Sequence, residues 1–231
     1  MRRALCRRLA VAVAVVSIAG VTRAVAVPES SPRSEPSPAV APPTSSYWLI
    51  GADGNVYPFN VPDFGSLRGS PPARPIVGAA VTPRGKGYWL AGTDGGIFAC
   101  GDARFHGSTG AMRLNHPIVG MAATPSGDGY WLVASDGGIF AFGDAGFYGS
   151  TGSIVLNKPI TGMSTSRTGR GYRFVASDGG LFSFGDAPYA GSAAGRPLRD
   201  PIVGMAGSPT GNGYWLVGSA GTVHAYGDGR S

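Results

Sequence analysis

Apolar and polar positions divide the chain from Tyr47 onward into short segments that recur at a nearly constant spacing. The Tyr-Trp-Leu pattern and its variants are separated by 41, 42, 42 and 42 residues. One full unit, residues 117–158, reads PIVGMAATPSGDGYWLVASDGGIFAFGDAGFYGSTGSIVLNK. A fixed period of about 40–50 residues with several short strands in each unit is typical of propeller blades. The copies begin at Tyr47, Tyr88, Tyr130, Tyr172 and Tyr214.

Turn signals divide each unit into four predicted strands. In the central unit these are residues 118–123, 130–134, 139–142 and 147–149. The second and third are joined by Asp136-Gly137, and Asp-Gly is a strong hairpin signal because type I′ turns need positive φ at both central residues. The second strand is apolar at consecutive positions, so we expect it to be covered on both faces.

Blades packed face to face explain such a strand, and the sequence therefore predicts an all-β fold. The predicted architecture is a β-propeller of four-stranded antiparallel blades. A parallel β-helix is the alternative, although its rungs lack a repeated hairpin signal. Three complete units, 75–116, 117–158 and 159–200, lie between two partial ones. This predicts five blades, or four if the terminal segments merge. The repeated tryptophans Trp48, Trp89, Trp131 and Trp215 are expected to lie between blades.

The first 26 residues have the pattern of a secretory signal peptide. An arginine-rich start precedes an apolar run over 9–21 and the small-residue end Ala24-Val25-Ala26. A membrane anchor is the alternative, but the run is shorter than the ~20 residues that span a bilayer. Residues 27–46 read as a Pro/Ser-rich linker, and 47–231 as the repeat domain. We expect a secreted or extracellular protein, associated with the cell wall or free, without stable membrane insertion after cleavage.

Removal of that segment changes the charge of the chain. The full chain has 19 basic and 13 acidic residues, a formal net charge of +6. Five arginines and no acidic residue lie in 1–26, which leaves 14 basic against 13 acidic residues, or +1. Most of the basic excess thus belongs to the export signal, and we expect no nucleic-acid partner.

The repeat domain lacks the residue constellations that enzymes use. It contains no glutamate, and its histidines (His106, His116 and His224) occupy different positions of the repeat. Its repeated aspartates fall at turns, where aspartate bonds nearby backbone groups. The sequence therefore predicts no catalytic residue, no cofactor and no metal. Calcium at the Asp-Gly elements is an alternative, but each offers a single carboxylate. The turn aspartates are Asp94, Asp136 and Asp178 in one turn, and Asp102, Asp144, Asp186 and Asp228 in the next.

Two residues stand out against the repeat. Cys100 occupies a third-strand position that is aromatic in other units, so we expect a buried thiol that acts as a small hydrophobe. Arg173 stands where the other units have tryptophan. Greater exposure of this position is expected, with a stacked guanidinium as the alternative.

A candidate ligand-binding rim lies where connections between blades run beside the Asp-Gly turns. Its residues vary in charge while their surroundings repeat, which is typical of a binding surface and also of an ordinary solvated one. The candidate rim residues are Arg113, Asn115, His116, Asn157, Lys158, Arg199 and Asp200.

The segments GYWLAGTDGGIFACGDA (87–103) and GYWLVASDGGIFAFGDA (129–145) resemble a repeat of exported proteins from GC-rich Gram-positive bacteria. The resemblance covers residues 47–231 and departs from the repeat at Val61 and Ala220. It implies a propeller-like domain that stands alone or beside cell-wall hydrolases, and no particular activity.

Two hypotheses for function remain. The first is a secreted, non-catalytic binding or scaffold module that engages cell-wall glycan or a protein. The second is a secreted hydrolase with dispersed catalytic residues on a propeller. The lack of glutamate in the repeat domain favours the first. The oligomeric state stays open.

Overall fold

The computed structural model describes residues 13–15 and 46–230. They form an all-β β-propeller, which confirms the predicted fold class, with five antiparallel sheets of three strands each in the described residues. In that part of the chain no helix is long and apolar enough to cross a membrane. The strands, in blade order, are β1 Val13–Val15, β2 Tyr47–Ile50, β3 Val56–Phe59; β4 Ile76–Val81, β5 Gly87–Gly92, β6 Ile97–Gly101; β7 Ile118–Ala123, β8 Gly129–Ala134, β9 Ile139–Gly143; β10 Ile160–Thr165, β11 Gly171–Ala176, β12 Leu181–Gly185; and β13 Ile202–Gly207, β14 Tyr214–Gly218, β15 Val223–Tyr226.

The first blade takes its inner strand from the predicted export segment. Strand β1 pairs antiparallel with β2, with Val13 opposite Ile50 and Val15 opposite Trp48. The remainder of the predicted signal peptide and residues 27–45 of the linker lie outside the described residues. Cleavage of the signal therefore stays a prediction. Five separate blades are present, so the terminal segments do not merge into one and the four-blade alternative is wrong.

Each blade has three strands, not the predicted four. Residues 147–149 form no strand, because their backbone groups bond to the next blade instead. The Tyr172 hydroxyl accepts a hydrogen bond from the Tyr148 amide at 3.0 Å and donates one to the Gly149 carbonyl at 2.7 Å. Burial raises the pKa of Tyr172, which keeps this hydroxyl protonated and able to donate. The segment predicted as a fourth strand is thus a link between blades.

The middle strand of each central blade is buried on both faces, as its continuous apolar run predicts. All six residues of β5, β8 and β11 are buried. Alternate side chains point to opposite neighbours. Tyr130 and Leu132 pack on the preceding blade, whereas Trp131 and Val133 pack on the following one. We call these two sides the N-side face and the C-side face of a blade.

The inner strands approach each other closely at one repeated glycine. A Cβ atom added to Gly78 would lie 3.0 Å from the Met121 amide nitrogen, and one on Gly162 would lie 3.2 Å from that of Met205. Real Cβ atoms are rarely so close to backbone, so a side chain at either position would push the blades apart. Glycine at this position therefore sets the spacing between neighbouring blades.

Candidate binding rim and its surroundings

A ladder of backbone hydrogen bonds holds the hairpin turns and the connections between blades on one face. The Ser135 amide donates to the Pro117 carbonyl at 2.9 Å, and the Ser135 carbonyl accepts from the Ile160 amide of the next blade at 2.8 Å. The same pair of bonds recurs through Pro159, Ser177 and Ile202. The structure thus brings each connection beside a hairpin turn, as the rim hypothesis requires.

Six of the seven candidate rim residues are exposed on this face, and Asp200 is half-buried. His116 Nε2 lies 4.0 Å from Asp136 Oδ2. This histidine, when protonated, therefore pairs with the hairpin of the blade that follows it in sequence. Asn115 lines an open cleft of about 320 Å³ with Arg74, Asp94 and Met112. The Arg199 charge helps to lower the pKa of the neighbouring Asp200. Arg113, Asn157 and Lys158 are exposed, and ligand binding by the rim stays a prediction.

Asp200 lies in the connection that precedes the last blade and holds the hairpin of that blade. Its Oδ2 accepts a hydrogen bond from the Ala220 amide at 2.7 Å, and its Oδ1 accepts one from the Thr222 hydroxyl at 2.9 Å. The bond from the Ala220 amide is the main cause that lowers the pKa of Asp200. Ala220 stands where other units have the turn aspartate, so Asp200 supplies the carboxylate that this hairpin lacks.

The repeated aspartates stabilise turns, as predicted. The aspartates after the third strands also bond to a second loop of the same blade. Asp136 Oδ1 accepts the Gly138 amide at 2.9 Å, with the same contact at Asp94 and Asp178. Asp144 instead accepts the Ser126 hydroxyl at 2.5 Å, which ties the loop before the second strand to the turn after the third. Thr168 makes the same bond to Asp186 at 2.5 Å.

The sequence analysis missed these hydroxyl partners, although serine or threonine recurs at their position in the last three units. In the described residues, no group of three or more histidine, cysteine, aspartate or glutamate side chains is arranged to hold a metal ion.

Arg173 is fully buried, so the expectation that this position is more exposed is wrong. The alternative, a stacked guanidinium, is confirmed, since Arg173 Cζ lies 5.2 Å from the ring centroid of Tyr214. Arg173 Nε donates to the Pro188 carbonyl at 2.8 Å, as Trp131 Nε1 does to Gly146 at 2.7 Å. The arginine therefore takes the place of the tryptophan ring against the next tyrosine and reproduces its hydrogen bond, whereas Trp131 itself meets Tyr172 edge-on, with an interplanar angle of 62°.

Cys100 is half-buried and packs among apolar side chains of the first two blades. Desolvation, and to a lesser degree the nearby Asp63 carboxylate, raises the pKa of this thiol. A raised pKa reduces the thiolate fraction, which is the reactive form. The thiol packs as a small hydrophobe, as predicted, but it is half-buried and not buried as expected.

One repeated aromatic position remains open to solvent and was missed by the sequence analysis. Phe105, Phe147 and Tyr189 occupy the same place in three successive units and are 62%, 65% and 61% exposed. The aromatic rings on the middle strands β5, β8 and β11 are buried between blades, whereas these three lie in the links after the third strands. An aromatic residue that repeats outside any apolar periodicity was the signal that could have found them.

The geometry defines the chain as a member of the β-propeller class of folds. No family model matches the chain, and no curated protein matches it. Among solved structures, the chain is similar to the β-propeller domain of Cps50 (Swd1) from "Myceliophteria_thermophila". The identity is 12%, the TM-score is 0.48, and the match covers 74% of this chain and 59% of that one. This likeness concerns the fold alone.

Proposed function

We propose that the chain is a secreted, non-catalytic binding module for a cell-wall glycan. The observation that carries the proposal is the row of exposed aromatic side chains at one position of three successive blades, Phe105, Phe147 and Tyr189. Exposed apolar groups that recur on a rigid frame mark interaction sites more often than scattered ones do.

A flat aromatic ring suits the apolar face of a sugar. Phenylalanine and tyrosine offer a large contact area and have only two side-chain torsions to fix, so their entropic cost on binding is low. Three equivalent rings on successive blades form a periodic row, and a glycan polymer is itself periodic. Several weak contacts along one polymer add up through effective concentration, even where each contact alone is weak.

The state of the repeated carboxylates supports a non-catalytic role. Glycoside hydrolysis needs a carboxylic acid with a raised pKa that is free to protonate the leaving oxygen. Hydrogen bonds from the Ser166 and Thr168 hydroxyls lower the pKa of Asp186. Those from Thr210 and Ser208 lower the pKa of Asp228. The Asp186 and Asp228 carboxylates are therefore held ionised, and each is hydrogen-bonded to the loop before the second strand of its own blade.

The test is sedimentation of the purified protein with insoluble peptidoglycan. Phe105→Ala, Phe147→Ala and Tyr189→Ala should each weaken binding about two- to tenfold, because an aromatic contact contributes ~0.5–1.5 kcal/mol. The triple variant should lose most of the binding. Val155→Ala is the matched control, since Val155 is fully exposed and lies outside the aromatic row. Full binding by the triple variant would contradict the proposal, and release of soluble sugars would favour the hydrolase.

A further inference from the structure

The same contact joins each pair of neighbouring blades. An aromatic ring on the C-side face of one blade packs on a tyrosine on the N-side face of the next. The ring centroids lie 5.7 Å apart for Trp89 and Tyr130, and 5.8 Å apart for Trp131 and Tyr172. Arg173 takes the place of the tryptophan in the last such pair. Four successive interfaces are thus built to one plan.

The C-side face of the last blade lacks this cover. Val217 is 37% exposed, whereas its equivalents Val133 and Val175 are fully buried. Its cross-strand neighbour Val223 is 59% exposed, and Trp215 is only half-buried. A Cβ atom added to Gly204 would meet no atom within 4 Å, in contrast to the equivalent glycines between blades.

The N-side face of the first blade is open in the corresponding way. Tyr57 and Phe59 are 46% and 41% exposed, and Tyr47 and Leu49 are half-buried. In the next blades, the equivalents of Tyr47 and Leu49 are almost completely buried against the preceding blade. The two terminal faces therefore do not cover each other within one molecule.

We propose that these two faces bind each other between two copies of this chain, the N-side face of one copy on the C-side face of the next. The four internal interfaces are the template, and each copy carries both halves of a fifth. The side chains at issue are uncharged (Tyr47, Leu49, Tyr57 and Phe59 on one side, Trp215, Val217 and Val223 on the other). The Arg68 guanidinium lies 6.0 Å from the Tyr57 ring centroid and must move aside, so that its charge is not desolvated in the contact. The tyrosine at 47 then packs on the partner's Trp215.

This arrangement is heterologous, because different surfaces of the two copies meet. Each added copy leaves one N-side face and one C-side face open at the ends of the assembly. Such contacts build rings when the rotation closes and open chains when it does not. Association in this mode extends beyond a dimer as the protein concentration rises.

Sedimentation velocity over a wide concentration range is the first measurement. The unmodified protein should form dimers and larger species. Val217→Glu blocks the C-side face and Phe59→Glu blocks the N-side face, so each variant alone should stay monomeric, with association weakened at least about tenfold. Val155→Glu, a fully exposed position elsewhere, is the matched control and should associate normally. Thermal melts verify that each variant is folded.

Mixing the two blocked variants gives the decisive result. The intact N-side face of the Val217→Glu protein still fits the intact C-side face of the Phe59→Glu protein. The mixture should therefore form a one-to-one heterodimer and nothing larger. A mixture that stays monomeric would overturn the proposal. So would an unmodified protein that is monomeric at every concentration, or association that survives either substitution.

Discussion

Replacement of Arg173 by tryptophan tests how this propeller tolerates a buried cation. Arg173 has no exposed surface, and its Nη1 is buried without a hydrogen-bond partner. Its Nη2 donates to the Gly211 carbonyl in the next blade. One unit earlier, the equivalent Gly169 carbonyl accepts instead from the Tyr148 hydroxyl at 3.2 Å. Unit four has Ala190 at that tyrosine position, so Arg173 supplies the donor that alanine cannot.

Two opposing contributions set the size of the effect. Desolvation lowers the pKa of Arg173, which reflects the cost of burying its charge. Replacing buried ionic groups by well-packed apolar ones often stabilises a protein by about 1–4 kcal/mol. Tryptophan keeps the bond to Pro188 but leaves the Gly211 carbonyl without a donor, at a cost of about 1–3 kcal/mol. Arg173→Trp alone should thus change the free energy of unfolding little.

The double variant Arg173→Trp/Ala190→Tyr restores the arrangement of the preceding unit. The new tyrosine hydroxyl then donates a hydrogen bond to the Gly211 carbonyl. The free energy of unfolding should exceed that of Arg173→Trp by about 1–3 kcal/mol. In a domain of this size this corresponds to roughly 2–4 °C of melting temperature per kcal/mol. Arg173→Leu, which removes the charge and both donors, is the control and should be clearly destabilised.

Urea denaturation of the unmodified protein, Arg173→Trp, Ala190→Tyr and the double variant forms a double-mutant cycle that measures the coupling between positions 173 and 190. We expect favourable coupling of at least about 1 kcal/mol, because the tyrosine hydroxyl replaces the donor that the arginine supplied. Coupling near zero would refute the exchange of donors at Gly211, whereas an Arg173→Leu protein as stable as Arg173→Trp would show that the bond to Pro188 contributes little.

Three further predictions follow from the same contacts. Trp131→Ala removes a ring buried between blades and should lower the free energy of unfolding by about 3–5 kcal/mol, as measured by thermal or urea unfolding. Trp215→Ala should lower it much less in the monomer. Equal losses would contradict the placement of Trp215 on an open face. The folded-state pKa of Asp186 is lowered, so its contribution to stability is present above the unfolded pKa and lost as the pH falls through the folded pKa. Thr168→Val should therefore destabilise the protein near neutral pH and matter less in acid; a deficit in the free energy of unfolding that does not shrink on acidification would count against it. N-terminal sequencing of exported protein should return Val27, in which case the mature first blade lacks strand β1; material that begins at Met1 would exclude cleavage and keep β1 paired with β2.

The parts of the fold that the sequence predicts are those that its repetition encodes. The 42-residue period, the Asp-Gly hairpins and the doubly apolar strand over 130–134 lead directly to blades packed face to face. The prediction of a fourth strand was wrong because of a contact between units. Residues 147–149 have strand-like composition, yet their backbone bonds to the Tyr172 hydroxyl of the next blade. A contact between units is invisible when each unit is analysed alone.

The candidate site shows the same limit. The sequence places the connections beside the hairpins, and the structure agrees. It does not reveal that Asp200 is hydrogen-bonded to the hairpin of the last blade, because the clue lies 20 residues away at Ala220. It also does not reveal the burial of Arg173, since hydrophobic patterning treats arginine as polar. Both errors come from compensation between positions that are distant in sequence.

Compensation of this kind helps to decide which variable positions concern a ligand. Arg173 and Asp200 each break the repeat, and each repairs a hydrogen bond that a second substitution, at Ala190 or Ala220, removed. Their variation is explained within the fold and needs no partner outside it. Among the described residues, the exposed aromatic row and the rim residues other than Asp200 repair no such hydrogen bond, although His116 lies beside Asp136 and the Arg199 charge helps to lower the pKa of Asp200. Constraints on those positions must therefore come from solvent or from a ligand, and only the aromatic row keeps a residue class that solvent alone would not favour. That difference places the row, ahead of the charged rim, as the first surface to test for glycan binding.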